Sequence, residues 1–271
     1  MPHTPIDVLV IGAGMHVSGR GTSGYGTVLP AVVQAHRDGL VGRLLVAATN
    51  ANSIQVEYSQ RRVIPEKVFR SWVEQANSFQ YLAVHYVDIL LFALGAIPRR
   101  AMAIGQYGYL KERSINTYDS VQALIEWGVP GSEVPFVSTF LTNWVDPNKT
   151  SALSYQSIKV FGTTGRFESD QRDRGLQLVT EADGIEDINP YFAQTYPSPR
   201  GSSREYRGYG IDSIRAFLDD SKSLLDGERT PADLESLRPT FRQALRSTAV
   251  VEAVNQSLQS KSEWVPVRPS E

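Results

Sequence analysis

The chain of 271 residues contains no cysteine, which excludes a disulfide framework, a zinc–thiolate site, an iron–sulfur cluster and a cysteine nucleophile. Histidine is nearly as scarce. His3, His16, His36 and His85 are all there is, too few for a multi-histidine metal centre, and no metal site is expected. Charge of one sign is absent too: 27 basic against 29 acidic residues give a formal charge of -2, which argues against nucleic-acid or acidic-membrane binding. Long apolar runs are lacking. The longest, from Ile89 to Pro98, is about half of the ~20 residues that span a bilayer. The amino terminus has neither a basic leader nor a long apolar stretch, so a soluble cytoplasmic protein is the expectation. What is present is globular: 41% hydrophobic and 21% charged residues, close to the average of folded domains.

The first fifty residues read as strand, glycine-rich loop, helix, strand. Val8-Leu-Val-Ile11 is a short β-branched run of the kind buried on both faces of a parallel sheet. It stops at Gly12-Ala-Gly14. Thr27 to His36 follows with helical spacing, Gly39 ends it, and Arg43 to Ala48 is a second strand. This order opens a dinucleotide-binding unit, in which Gly12 and Gly14 let the backbone approach a pyrophosphate and helix N–H groups face the anion. Val17 stands where a third glycine would complete G-x-G-x-x-G. The plainer alternative is a glycine-rich surface loop. The end of the second strand, Ala48-Thr49-Asn50, lacks the acid that reads an adenosine ribose in NAD enzymes. NAD is therefore not specified, and the balance tips slightly to NADP, although no arginine follows in that loop.

Beyond Asn52 the alternation of strand and helix ends. Ile54, Val56 and Tyr58 fall on one face of a period-2 segment, and helices are expected from Glu66 to Gln75 and from Phe79 to Leu94. Six strand-like segments then follow without helices, over 100–108, 118–127, 135–144, 155–162, 166–170 and 175–180, with Gly162-Thr-Thr-Gly165 as a hairpin turn. Such a run argues an antiparallel sheet open on one face. Helices return at Tyr209 to Leu225, with an apolar stripe of Ile214, Phe217, Leu218 and Leu225, and at Phe241 to Leu258, with Leu245, Val250, Val254 and Leu258. Thr230-Pro-Ala-Asp233 is a helix start between them. Asn189 to Gly208 is expected to be one long irregular loop.

Tyr81, His85 and Asp88 lie at i, i+4 and i+7, so they share one helix face. A histidine with two proton-capable neighbours suits acid–base work on a hydroxyl or ketone. From spacing alone the plainer reading comes first: a half-buried histidine with satisfied hydrogen bonds, and Asp88 as an anchor for the helix. Glu57, Arg61 and Arg62 suit a phosphate or carboxylate, but a solvated strand end explains them more simply. Lys111, Glu112 and Arg113 read as an exposed loop.

The Gly12-Ala-Gly14 opening, Val84-His-Tyr-Val-Asp88, Thr117 to Trp127, Val160-Phe-Gly-Thr-Thr-Gly-Arg166, Ser213 to Leu218 and Ala232 to Phe241 together resemble the Gfo/Idh/MocA oxidoreductases. The resemblance runs in the family's order from Asp7 to about Leu258. It implies an α/β plus α+β chain: a Rossmann-like segment over 1–52, then an α+β substrate and oligomerisation domain over 53–271 with a large, mostly antiparallel open sheet and flanking helices. It further implies NAD or NADP as cofactor and a sugar, nucleotide sugar or cyclitol as substrate. A homo-oligomer would form through the open sheet. The family's catalytic histidine falls on His85, with Asp88 completing H-x-x-D. Tyr81 stands where many members carry an acid. Gly12, Gly14, Met15, Thr49 and Asn50 fall at the cofactor.

Two departures matter. The family's further β–α units, with a Glu-Lys-Pro tripeptide, have no counterpart between Asn50 and Ile54; Glu66-Lys67 precedes Val68 in the wrong domain. Two parallel strands and one helix also supply one side of a dinucleotide crevice, and such a fragment is marginal alone. It must pack on the second domain, pair with another subunit, or stay loosely ordered. Two functions are therefore carried forward: an NAD(P)-dependent oxidoreductase, and a non-catalytic remnant that binds or oligomerises through its sheet.

Overall fold

The computed structural model describes residues 6–11, 41–47, 51–129, 132–163, 165–198, 201, 203–235 and 237–268. These fall into two compact units, Met1–Ala51 with Gly162–Arg166, and Asn52–Phe161 with Phe167–Glu271.

In the first unit, β1 (Ile6–Ile11) and β2 (Val41–Ala47) pair in parallel, with Val8 opposite Leu44 and Ile11 opposite Ala47. Both apolar runs are thus strands, as expected. The glycine loop and the helix expected at 27–36 lie outside the described residues.

The second unit is built on a seven-stranded sheet. Its strands are β3 (Ala51–Arg61), β4 (Ile97–Gln106), β5 (Ser120–Val129), β6 (Ser132–Asp146), β7 (Ser154–Gly162), β8 (Arg166–Asp170) and β13 (Val265–Pro266). Their spatial order is β13-β4-β5-β6-β3-β7-β8. β4, β5 and β6 form an antiparallel meander, while β3 runs parallel to β6. The turn between β7 and β8 is closed by the Gly162 N–H donating to the Gly165 carbonyl at 2.8 Å.

Period-2 alternation explains why one face is buried. Along β6, Phe136, Ser138, Phe140, Thr142 and Trp144 are buried, whereas Val137 and Leu141 are exposed. The sheet is therefore open on one side. On the buried side lie α1 (Val84–Leu94), entered through a wide π turn at Phe79–Ala83, and α4 (Phe241–Gln259). Phe79 meets Phe140 edge-on with 5.6 Å between centroids, and Trp127 donates its Nε1–H to Ser138 Oγ at 2.6 Å. Such satisfied indoles let aromatic bulk be buried without an orphan polar group. Gly95 ends α1 in the left-handed region (φ 60°), its N–H returning to the Leu91 carbonyl. A Thr240–Gln243 capping box starts α4.

Four expectations are corrected here. The helix expected over 66–75 is broken into a π turn at Ile64–Val68 and a 3₁₀ turn at Val73–Gln75, with the aromatic rings of Phe69 and Trp72 packed together between them. The segment 189–208 is not one irregular loop, because Gln194–Pro197 (β11) and Arg204–Arg207 (β12) form a hairpin. A second hairpin pairs β9 (Gln177–Thr180) with β10 (Gly184–Asp187). The helix α2 (Tyr209–Leu225) forms as expected, but its stripe is uncovered: Ile214, Phe217, Leu218 and Leu225 are all more than half exposed. In α4, Val250 and Val254 are buried as expected, whereas Leu245 is exposed. The short α3 (Pro231–Glu235) follows the Thr230 cap, whose N–H and Oγ both donate to Asp233 at 2.8 Å.

Candidate functional site

The carboxyl ends of the parallel strands β3 and β6 carry the site. Alternation buries Ile54 and Val56 beneath the sheet and leaves Tyr58, two residues on, at the margin of a core cluster of Val73, Leu82, Leu110, Ile115 and Trp144. The helical period then sorts the next element. Leu82, Ala83, Tyr86, Val87 and Leu90 are buried, so Tyr81, His85 and Asp88 come out together on the opposite, exposed face.

His85 is therefore exposed rather than half-buried. Its ring lies beside Tyr58, 6.5 Å between centroids at 39°. Tyr58 in turn meets Tyr86 at right angles, 6.1 Å away. Tyr81 is 37% exposed and rests on a platform of rings, with Phe69 at 4.7 Å, Trp72 at 5.6 Å and Trp144 at 6.2 Å. Trp144 is fixed from behind, donating its Nε1–H to Gln60 Oε1 at 3.2 Å. Asp88 makes no ion pair among the described residues, so an anchoring role for it finds no partner there.

Burial pushes the Tyr58 phenol above its ordinary value, partly offset by a hydrogen bond with Ser154; burial raises Tyr86 too. The Tyr86 hydroxyl, buried, donates to Gln156 Oε1 at 3.5 Å. Around the exposed imidazole the arrangement offers phenols and aromatic faces.

Tyr58, Phe69, Trp72 and Trp144 adjoin the candidate site, and spacing did not single them out for it. The available signal was Tyr58 ending the apolar face of β3. The cofactor candidates Gly12, Gly14, Met15, Thr49 and Asn50 lie outside the described residues. Their flanking strands are described, and the parallel register brings Ile11 and Ala47 to the same end of the pair. Open parallel sheets bind ligands beyond such carboxyl ends, and this pair supplies one side of such a crevice.

The other charged clusters are structural. Arg61 donates to the Thr150 side chain and carbonyl, Arg62 lies 5.2 Å from the Tyr109 ring centre, and Arg113 lies 3.5 Å from it on a short turn at Lys111–Arg113. Among the described residues no three histidine or acidic side chains gather as a metal site would require, and no helix is long and apolar enough to cross a membrane.

No protein-family profile and no curated protein matches the sequence. Solved structures do match in fold. Myo-inositol 2-dehydrogenase from Lactobacillus plantarum aligns over 88% of this chain and 61% of its own, with 12% identity and a TM-score of 0.52. The scyllo-inositol dehydrogenase from Lactobacillus casei, solved with bound NAD(H) and scyllo-inositol, gives the same coverages with 15% identity and a TM-score of 0.52. Myo-inositol dehydrogenase from Corynebacterium glutamicum ATCC 13032 covers 89% of this chain and 61% of its own, at 13% identity and a TM-score of 0.52.

The chain thus has a mixed α/β fold with a seven-stranded, mostly antiparallel sheet. More narrowly, over the aligned part it shares the fold of those inositol dehydrogenases. It spans 61% of the length of those enzymes.

Proposed function

We propose that this chain is an NAD(P)-dependent oxidoreductase of the Gfo/Idh/MocA type, acting between a carbinol and a ketone of a sugar, nucleotide sugar or cyclitol. The observation that carries the reading is the exposed Tyr81–His85–Asp88 face, set beside Tyr58 at the ends of two parallel strands. A bound nicotinamide supplies the hydride acceptor; the chain supplies binding and proton handling. In the oxidative direction His85 takes the hydroxyl proton as the carbinol C–H bond breaks, and in reduction it returns that proton to the carbonyl oxygen. Tyr81 is the second proton group, and Asp88 lies one turn from His85. Residues 53–271 form the substrate and oligomerisation domain of this reading.

Residues 1–52 form its cofactor segment, with Gly12, Gly14 and Met15 at the pyrophosphate and Thr49 and Asn50 at the ribose. The absence of an acid at 49–50 leans the cofactor to NADP. A cytoplasmic homo-oligomer joined through the open sheet completes the proposal.

The test is a titration of the folded chain with NADH and NADPH, following energy transfer from its four tryptophans, then polyol-dependent turnover. Saturable binding is expected, and His85→Ala should lower turnover by about 10²–10⁴-fold. If neither cofactor binds at millimolar concentration, the second reading takes over: a non-catalytic protein working through its sheet. The apolar open face, with Ile104 57% and Leu141 36% exposed, supports that alternative.

A further inference from the structure

A cleft of about 350 Å³ opens where the 3₁₀ turn at Val73–Gln75, the end of β4, the entry to β5 and the last turns of α4 converge. Half of its twelve lining residues are carboxamides: Gln75, Asn77, Gln80, Asn116, Asn255 and Gln259. Three of these build a closed inner frame. Asn77 Nδ2 donates to Asn255 Oδ1 at 2.7 Å, Asn255 Nδ2 donates to Gln80 Oε1 at 3.4 Å, and the Gln80 backbone N–H donates to Asn77 Oδ1 at 2.9 Å. The other three stand exposed at the rim, and the side chains of Gln75, Asn116 and Gln259 make no hydrogen bond among the described residues. Each offers a donor and an acceptor side by side.

The remaining wall is aromatic. Tyr107 and Tyr118 pack with ring centroids 4.2 Å apart and 35° between planes. Tyr118 lies flat over Gly105, where a Cβ would fall 2.3 Å from the ring, so the absent side chain is what admits the tyrosine. Burial, followed by a hydrogen bond with Tyr107, pushes the Tyr118 phenol up to about 12. Glu74 is the single charged lining residue, and it pairs with Arg70 at 3.2 Å.

This chemistry selects one class of ligand. Among the lining residues an anion finds no cation, Lys111 Nζ lying outside them over the Tyr107 ring at 5.3 Å, and a cation finds the one carboxylate already paired. An apolar molecule would strip water from amides and give nothing back. Neighbouring hydroxyls match the paired donor and acceptor of an amide, while the C–H face of a sugar ring packs on a tyrosine. The volume lies in the range of small-molecule sites. We propose that this cleft binds a neutral polyhydroxylated compound, a mono- or disaccharide, at a site separate from the Tyr81–His85–Asp88 face.

The experiment is a titration of the ¹⁵N-labelled full chain with D-glucose, maltose and myo-inositol, read by NMR. Saturable shifts of the Asn116 and Gln259 side-chain NH₂ signals are expected with at least one of the three. Combining Asn116→Ala with Gln259→Ala removes two exposed, unpartnered amides, so the rest of the spectrum should stay in place while binding weakens at least about tenfold, or 1.4 kcal/mol. His85→Ala should leave these shifts unchanged. The proposal is overturned if none of the three shifts these signals, if the shifts centre on Tyr81 and His85, or if the double variant binds like the parent chain. Sugar shifts in a chain that binds neither NADH nor NADPH would sustain this site while removing the dehydrogenase reading.

Discussion

Tyr58 and His85 stand ring beside ring at the junction of β3 and α1, 6.5 Å apart, the phenol sunk toward the core and the imidazole in the open. Burial makes one member of the pair hold its proton more tightly, and the other is exposed. Each half has a consequence that can be measured.

The buried phenols make stability fall at high pH. Tyr58 and Tyr86 are raised above the ordinary 10.0, so above that pH the unfolded chain releases protons that the native chain still holds. Stability from these groups is complete below pH 10 and drains away as pH climbs toward their folded values. Thermal unfolding between pH 9 and pH 11.5, about the reach of tyrosine ionisation, should show a declining midpoint. Tyr58→Phe and Tyr86→Phe should each flatten the decline; an unchanged slope in both would refute the linkage.

At the acid end the sign reverses. Asp220 is buried and accepts from Arg238 Nε at 2.5 Å and from Arg229 at 3.2 Å. The Arg238 hydrogen bond, foremost, holds its carboxyl below the usual 3.8. Its contribution is complete above that value and is lost as pH falls through the lower, folded one. Arg238→Gln should move the acid unfolding midpoint to higher pH, as followed by circular dichroism. A midpoint that stays put would show that Arg229 alone suffices.

In the core, Phe140 is fully buried and meets Phe79 edge-on. Phe140→Ala removes that contact and leaves a cavity under the centre of the sheet, for a loss of about 3–5 kcal/mol. Urea unfolding measures it. A loss of about 1 kcal/mol or less would mean that the neighbouring aromatic rings collapse into the space.

The open face is tested by charge. The register places Ile104, Gln122, Leu141 and Glu57 in one row across β4, β5, β6 and β3. Ile104→Glu with Leu141→Glu puts two further carboxylates into that row without touching the buried face. If copies join through this sheet, the double variant should elute as a monomer by light scattering while keeping its circular dichroism spectrum. An unchanged mass would place any association elsewhere.

Sequence periodicity carried much of this fold, because burial on one side imprints a local period. β6 alternates along its length since Phe136, Phe140 and Trp144 face the helices, and the Tyr81–His85–Asp88 face follows from 3.6 residues per turn. The strand expected from Tyr118 to Trp127 was legible for the same reason. Proximity in space was not. No period states that β3 inserts between β6 and β7, parallel to β6, because pairing is settled by hydrogen bonds between segments some eighty residues apart. The Tyr58–His85 pair and the carboxamide cleft exist only through such pairings. The stripe on α2 makes the same point in reverse: its spacing specifies an apolar face, and only the tertiary arrangement leaves Phe217 and Leu225 uncovered. Local chemistry thus determined most of the sheet strands and the longer helices, and which face the central ones turn inward, but not the broken segment at 64–75 or the hairpin at 194–207. The tertiary structure decided what those faces meet, because burial is a property of neighbours that a sequence pattern does not contain.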